Sequence, residues 1–218
     1  MSEQITIPIS NLQLSITYVR PVINLWLDRA LIVQKMFDVF EPWHLNVDDV
    51  EAITTGKPSE QGVRFNLPLQ KITFFFGPAG CKFTKDGATW AEADETLKVL
   101  TTALDVLTHQ GGVQFGNMHT SLALHLQPRS VPFHQLLRPF LAPAIAQLEN
   151  SHPEATAYVI RWKARRITLD GSAALANGVY VHLERDFDSP INFEDMKAIL
   201  LDDETTILKI LDVEEVRS

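Results

Sequence analysis

A chain of 218 residues, 45% hydrophobic and 21% charged, has an ordinary globular composition and can bury a sizeable core. Its single cysteine, Cys81, excludes an internal disulfide framework, and the residues around it suggest a small half-buried hydrophobe. A formal net charge of −8 without a long basic run argues against a nucleic-acid partner, because that affinity comes from Lys and Arg neutralising phosphates.

The start, Met1-Ser2-Glu3-Gln4, lacks the basic residues and apolar run of a signal peptide. The longest apolar stretch, Val22 to Phe40, is interrupted by Asn24, Asp28, Arg29, Gln34, Lys35 and Asp38, so it predicts a core helix and no membrane span. The expected compartment is the cytoplasm.

Asn11 to Val19 alternates, with Leu12, Leu14, Ile16 and Tyr18 on one face and Asn11, Gln13, Ser15 and Thr17 on the other. That is a half-buried strand. The helix after Pro21 is expected to bury Ile23, Trp26, Leu27, Ala30, Val33 and Phe37, and to stop at Glu41-Pro42. Asn46 is a candidate cap for a short helix through Ile53, with Asp48-Asp49 in its first turn. Val63–Leu67, Lys71–Phe76 and Cys81–Thr84 read as strands, the last two joined by Gly77-Pro78-Ala79-Gly80. Thr89 and Glu92 have capping-box spacing before a helix with Leu97, Leu100, Leu104 and Leu107 on one stripe.

The second half opens with a long strand, Val113 to Gln127. Met118, Leu122, Leu124 and Leu126 share one face; Asn117, His119, Ser121, Ala123 and His125 share the other. A helical segment, Phe133 to Leu148, should break at Pro139 and Pro143. Ala155–Leu169 and Val179–Asp186 read as a hairpin, and Ser189-Pro190 starts a last helix.

Read in order, strand, helix, strand, strand and helix occur twice. Lys71-Ile72-Thr73-Phe74 resembles Arg166-Ile167-Thr168-Leu169, and Trp90, Leu97, Leu104 and Leu107 match Phe193, Leu200, Ile207 and Ile210 at one offset. The expected fold is α+β: a duplicated strand–helix–strand–strand–helix unit, 1–111 and 112–218, forming one mostly antiparallel sheet with helices on one face. A groove would run between the halves. This element order resembles the ligand-binding fold of effector-binding domains in some bacterial regulators. Ile72–Phe83 leading into Trp90–Leu107, the strand after Gly112, and Glu184-Arg185-Asp186-Phe187-Asp188 before the final helix are similar to a sporadically distributed bacterial family of uncharacterised proteins. About half the chain is covered. The family's arginine-rich strand after the middle helix is absent, and the resemblance implies no activity.

Chemistry-bearing residues are few. The seven histidines form no metal-binding pattern, and His119 and His125, six residues apart on one strand, are separated by roughly 20 Å. No metal or other cofactor is expected. Asp202-Asp203-Glu204 reads as a solvated helix face, and the chain carries no phosphate-cradling or nucleophile-elbow motif. Among the tryptophans, Trp43 is the one expected to be exposed.

Arg161, Lys163 and Arg165 alternate along one predicted strand face. A hairpin closing symmetrically sets Arg165 opposite His182, Lys163 opposite Glu184 and Arg161 opposite Asp186. These are cross-strand charge pairs, or, with His119, His125 and His182, an anion-binding floor. Two readings follow. One is a non-enzymatic module for a small anionic ligand or a protein partner. The other is a hydrolase or cyclase in the groove, with His119, His125 or His182 as base. Homodimer formation stays open.

Overall fold

The computed structural model describes residues 3–27, 29–140, 158–162, 164–188 and 193–216, without the side chains of Trp26, Phe193 and Glu194. Expectations for Lys163, for the segment after Phe140 and for Ser189-Pro190 lie outside the described residues.

The strand read from Asn11 onward extends back to Glu3, so β1 runs Glu3–Tyr18, and its buried phase changes along the way, from Ile5 near the start to the even-numbered residues Ser10 to Tyr18. It is followed by α1 (Asn24–Leu27), α2 (Arg29–Phe40), β2 (Val50–Ile53), β3 (Gly62–Leu67), β4 (Ile72–Phe76), β5 (Gly80–Asp86) and α3 (Ala93–His109). Then come β6 (Phe115–Pro128), α4 (Phe133–Leu137), β7 (Tyr158–Trp162), β8 (Arg165–Gly171), β9 (Val179–Phe187), α5 (Phe193–Leu211) and β10 (Val213–Glu215). The fold mixes helix and strand, with a mostly antiparallel, open sheet. Among the described residues no helix is long and apolar enough to cross a membrane.

The chain divides into two compact units, one of residues 11–120 with 186–194, the other of 1–10, 121–185 and 195–218. In the first unit the strand order is β2-β3-β4-β5-β1, with every pair antiparallel. Its core is built from cross-strand rows. Phe65, Phe74, Phe83 and Leu14 lie side by side on four adjacent strands and are almost wholly buried. Full burial of such side chains stabilises by about 1.5–3 kcal/mol each. Phe40 closes α2 onto this row, its ring edge-on to Phe65 at 5.9 Å. The Leu-rich stripe of α3 is buried as expected at Leu100, Leu104 and Leu107.

Four local expectations fail in this unit. Asn46 does cap a turn, sharing reciprocal bonds with Asp49, but the helix is a single tight turn that gives way to β2. β-branched Val50 and Ile53 favour the strand, where Glu51 meets Arg64 across the pair at 2.8 Å. The Thr89–Glu92 box does not form, since Thr89 makes no side-chain cap bond. Glu92 instead pairs at 2.9 Å with Lys85, a lysine buried in the apolar row of Leu67, Ile72 and Leu12, whose Nζ also donates to the Gln70 carbonyl. Buried charge needs such partners. The α1–α2 stripe is also reversed: Leu25, Ile32, Met36 and Phe40 are buried, while Ile23, Leu27 and Ala30 are exposed. Trp43, expected outside, is buried, its Nε1 donating to Glu95 at 3.2 Å. Cys81 is also buried, beside the Tyr18 hydroxyl, and burial pushes its thiol up to about 12.

In the second unit β9, β8 and β7 form an antiparallel meander, β9 lies next to β6, and β10 pairs in parallel with the start of β1. Leu124, Leu126, Ile167, Leu169, Val181 and Leu183 supply its core from the sheet, and Ile207 and Leu211 from α5. α4 stops at Leu137 and passes into a tight turn through Pro139, as a proline that lacks an amide donor requires. Asn177, in the left-handed region at φ 60°, turns its Oδ1 to the Phe133 amide at 2.8 Å, which satisfies a donor at the start of α4.

The expected solvated face at Asp202-Asp203-Glu204 is wrong for two of its three residues. Asp203 is 0% exposed and Glu204 5%. Asp203 Oδ1 accepts from Arg165 Nε at 2.6 Å and from Arg185 Nη1 at 3.1 Å, while Arg165 Nη2 also reaches the exposed Asp202. Trp162 lies over the Arg165 guanidinium, 4.9 Å from Cζ to the ring centroid, a cation–π contact.

Candidate functional site

Two polar sheet faces carry the chemistry, one in each unit. In the second unit, His125 of β6 and Tyr180 and His182 of β9 form an aromatic row. The His125 and Tyr180 ring centroids are 5.0 Å apart, and Tyr180 and His182 stack at 6.1 Å. Each histidine meets a serine. Ser121 Oγ lies 2.7 Å from His182 Nε2, and Ser172 Oγ lies 2.8 Å from His125 Nδ1.

Ser172 also accepts the Ala174 and Leu175 amides at 3.2 and 3.0 Å. A hydroxyl has two lone pairs and one proton. Both lone pairs are engaged by the loop, so the proton points at His125 Nδ1. His125 is thereby fixed as the neutral tautomer with its own proton on Nε2, and burial lowers its pKa in the same direction. Burial, reinforced by the Glu184 carboxylate, raises the Tyr180 phenol.

The basic stripe does not form. β7 ends at Trp162 and the chain has turned back into β8 by Arg165, so Arg161 and Arg165 sit on different strands. Arg161 faces Arg166. Across β8–β9, Arg165 faces Arg185, Arg166 faces Glu184, and Thr168 faces His182. The expected Arg165–His182 pair is off by three residues. An odd slip moves a residue to the opposite sheet face, and Arg165 accordingly meets the buried Asp203 and the exposed Asp202 of α5. The hairpin closes later than symmetry suggested because the Ser172 hydroxyl gathers the loop amides and the Ser172 N–H bonds the Gly178 carbonyl at 2.8 Å. Arg166, not Lys163, makes the cross-strand bond to Glu184, at 2.8 Å. His119 belongs to the first unit, where its Nδ1 sits 2.8 Å from the exposed carboxylate of Asp186. Of the six nominated residues, His125 and His182 share one polar row. Among the described residues no group of three or more His, Cys, Asp or Glu side chains could hold a metal ion.

The polar face of the first unit was not singled out by sequence reasoning. Here β3, β4 and β5 enclose an open concavity of about 470 Å³, with Ile53 and Glu60 at its rim. Its floor has two cross-strand rows. Arg64, Phe75 and Lys82 are directly opposite one another on the three strands, and Asn66, Thr73 and Thr84 form the next row. Thr73 Oγ1 donates to Asn66 Oδ1 at 3.2 Å. Arg64 is held by Glu51, whereas Lys82 is exposed and has no ion pair among the described residues. Phe75 is half-buried between the two cations. The signal was present in the sequence: Phe75 is an aromatic residue falling in the polar phase of a strand whose apolar phase is Ile72, Phe74 and Phe76.

Fold and site together define a mixed α and β protein whose antiparallel sheet presents a concave polar surface. No protein-family model and no curated protein matches the sequence.

Proposed function

We propose that this protein is a non-enzymatic small-ligand-binding module, with its ligand seated on the polar face of β3, β4 and β5. The supporting observation is the concavity in which half-buried Phe75 lies between Arg64 and the uncommitted Lys82. Apolar surface flanked by a few convergent polar groups is the usual make-up of a ligand seat. The reading is of a cytoplasmic protein with a small anionic partner and no nucleic acid.

Melting the full chain against a library of soluble metabolites is the test. A ligand at a hundred times its Kd adds about 2.7 kcal/mol, which for a chain of this size raises Tm by about 5–10 °C. At least one compound class should do so in wild type and not in Lys82→Ala. A library without a stabilising compound removes the proposal.

The same reading takes the chain as two copies of one unit. β3, β4 and β5 form a meander whose last strand returns to β1, and β7, β8 and β9 form one whose last strand lies next to β6. The matching tetrapeptides beginning at Lys71 and Arg166 both run through the middle strand of their meander.

A hydrolytic reading has one observation in its favour, the 2.7 Å contact of Ser121 with His182, the reach at which an imidazole can take a hydroxyl proton. A fluorophosphonate probe is expected to leave Ser121 unlabelled. Stoichiometric labelling that disappears in His182→Ala would instead make the protein a hydrolase.

A further inference from the structure

We infer that the ligand of the β3–β4–β5 face is a planar ring carrying one anionic group. The inference rests on the binding function proposed above and adds the chemistry of the ligand. Two features of Phe75 specify the ring. First, its side chain is held in place. A Cβ on Gly62 would lie 2.8 Å from its Cε2 and Cζ ring carbons, and one on Gly77 would lie 3.3 Å from the same Cζ. Two bare glycines therefore let the ring settle against neighbouring backbone and still remain half-exposed. Gly62 could not be otherwise, since its Cβ would also stand 2.1 Å from the Phe76 carbonyl oxygen. Second, a fixed, half-exposed aromatic ring on a sheet offers a stacking platform, and stacking on such a ring rewards a flat partner over a puckered one.

The charge count specifies the anion. Arg64 and Lys82 flank Phe75 on adjacent strands, about 4.8 Å to either side, so a ring stacked on Phe75 has a cation within reach of each edge. Arg64 is already committed to Glu51 at 2.8 Å. Lys82 carries the uncommitted positive charge. One free ammonium matches one anionic group, while Glu60, which also lines the concavity, repels a polyanion. The second row, Asn66, Thr73 and Thr84, supplies neutral donors and acceptors one step along the strands, where ring substituents would be read.

Two sources share this chemistry, aromatic carboxylates and nucleoside monophosphates. Calorimetric titration of the full chain should therefore use benzoate and indole-3-carboxylate in one arm and the four common nucleoside 5′-monophosphates in the other. Cyclohexanecarboxylate serves as the puckered control and benzamide as the uncharged one. At least one arm should bind, at least tenfold more tightly than either control. Lys82→Ala and Phe75→Leu should each weaken that binding at least tenfold, with Lys82→Arg restoring most of it. Which arm binds identifies the source. Equal binding of benzoate and cyclohexanecarboxylate overturns the planar ring, and equal binding of benzoate and benzamide overturns the anion. Binding indifferent to both variants overturns the seat. If both arms fail while the metabolite library yields a Lys82-dependent ligand of another class, the inference falls and the binding function stands. If the library fails as well, both fall.

Discussion

Replacing Asp203 by alanine is expected to cost about 3–5 kcal/mol of folding stability, the toll of removing one partner from a buried ion pair. Asp203 is fully buried on α5 and accepts from two guanidiniums, Arg165 Nε and Arg185 Nη1. Arg165 is itself only 8% exposed, so the alanine variant strands a positive charge in the core. Asp202 touches the same Arg165, but its side chain is 66% exposed. Loss of a solvated partner costs no more than about 1 kcal/mol, and Asp202→Ala is expected to fall there. The wild-type arrangement is also imperfect: Asp203 Oδ2 is buried without a hydrogen-bond partner among the described residues. Swapping the pair for apolar side chains should then recover most of the loss. The double variant Arg165→Met, Asp203→Leu is expected within about 1.5 kcal/mol of wild type. Urea denaturation of Arg165→Met, Asp203→Leu and the double variant closes the cycle. An Asp203→Ala variant within 1 kcal/mol of wild type would mean that these charges are solvated after all.

That aspartate was within reach of the sequence. On α5 the buried residues Leu200, Ile207 and Leu211 recur at helical spacing, and Asp203 and Glu204 sit three and four residues after Leu200, on the same stripe. Position along the helix called for burial; residue type called for solvent. Position won because Arg165 and Arg185 arrive from β8 and β9 to compensate the charge. Those partners depend on a turn between Trp162 and Arg165 and on a hairpin register set by the Ser172 hydroxyl, and neither leaves a periodic trace. Strand phase, by contrast, was legible in the second part of β1 and in β6. Leu12, Leu14, Ile16 and Tyr18 are buried as their alternation demands, and so are Met118, Leu122, Leu124 and Leu126. The α1–α2 stripe was misread because that segment is apolar on two sides, so periodicity alone could not choose between Leu25, Ile32 and Met36 and the exposed Ile23 and Leu27. Trp43 was misread because its burial rests on Glu95, a contact 52 residues distant in sequence. For the candidate site, the residue types on β3, β4 and β5 were visible. Their assembly into Arg64–Phe75–Lys82 required the register of three strands.

Adjacent phenylalanines on β4 should separate stability from binding. Phe74 points into the core, with Phe65 and Phe83 opposite it and 0% exposure. Phe74→Ala leaves a cavity in a tightly packed row, and truncations of that kind cost about 3–5 kcal/mol. Phe75, one residue on, is carried to the other face by the strand pleat. Its ring contacts the backbone around Gly62 and Gly77 but stays half in solvent, so Phe75→Ala should cost about 1 kcal/mol through partial loss of buried area. Ligand affinity should respond in the reverse order. Phe74→Ala, measured well below its lowered Tm, should bind within threefold of wild type, because the polar rows on the far face are held by backbone pairing on both sides of β4. Phe75→Ala should lose binding at least tenfold. Denaturation curves supply one axis and calorimetric titration the other. If both variants lost stability equally, the face assignment of β4 would be wrong. If binding followed stability, ligand contact would depend on general integrity of the unit and not on the ring that lies between Arg64 and Lys82.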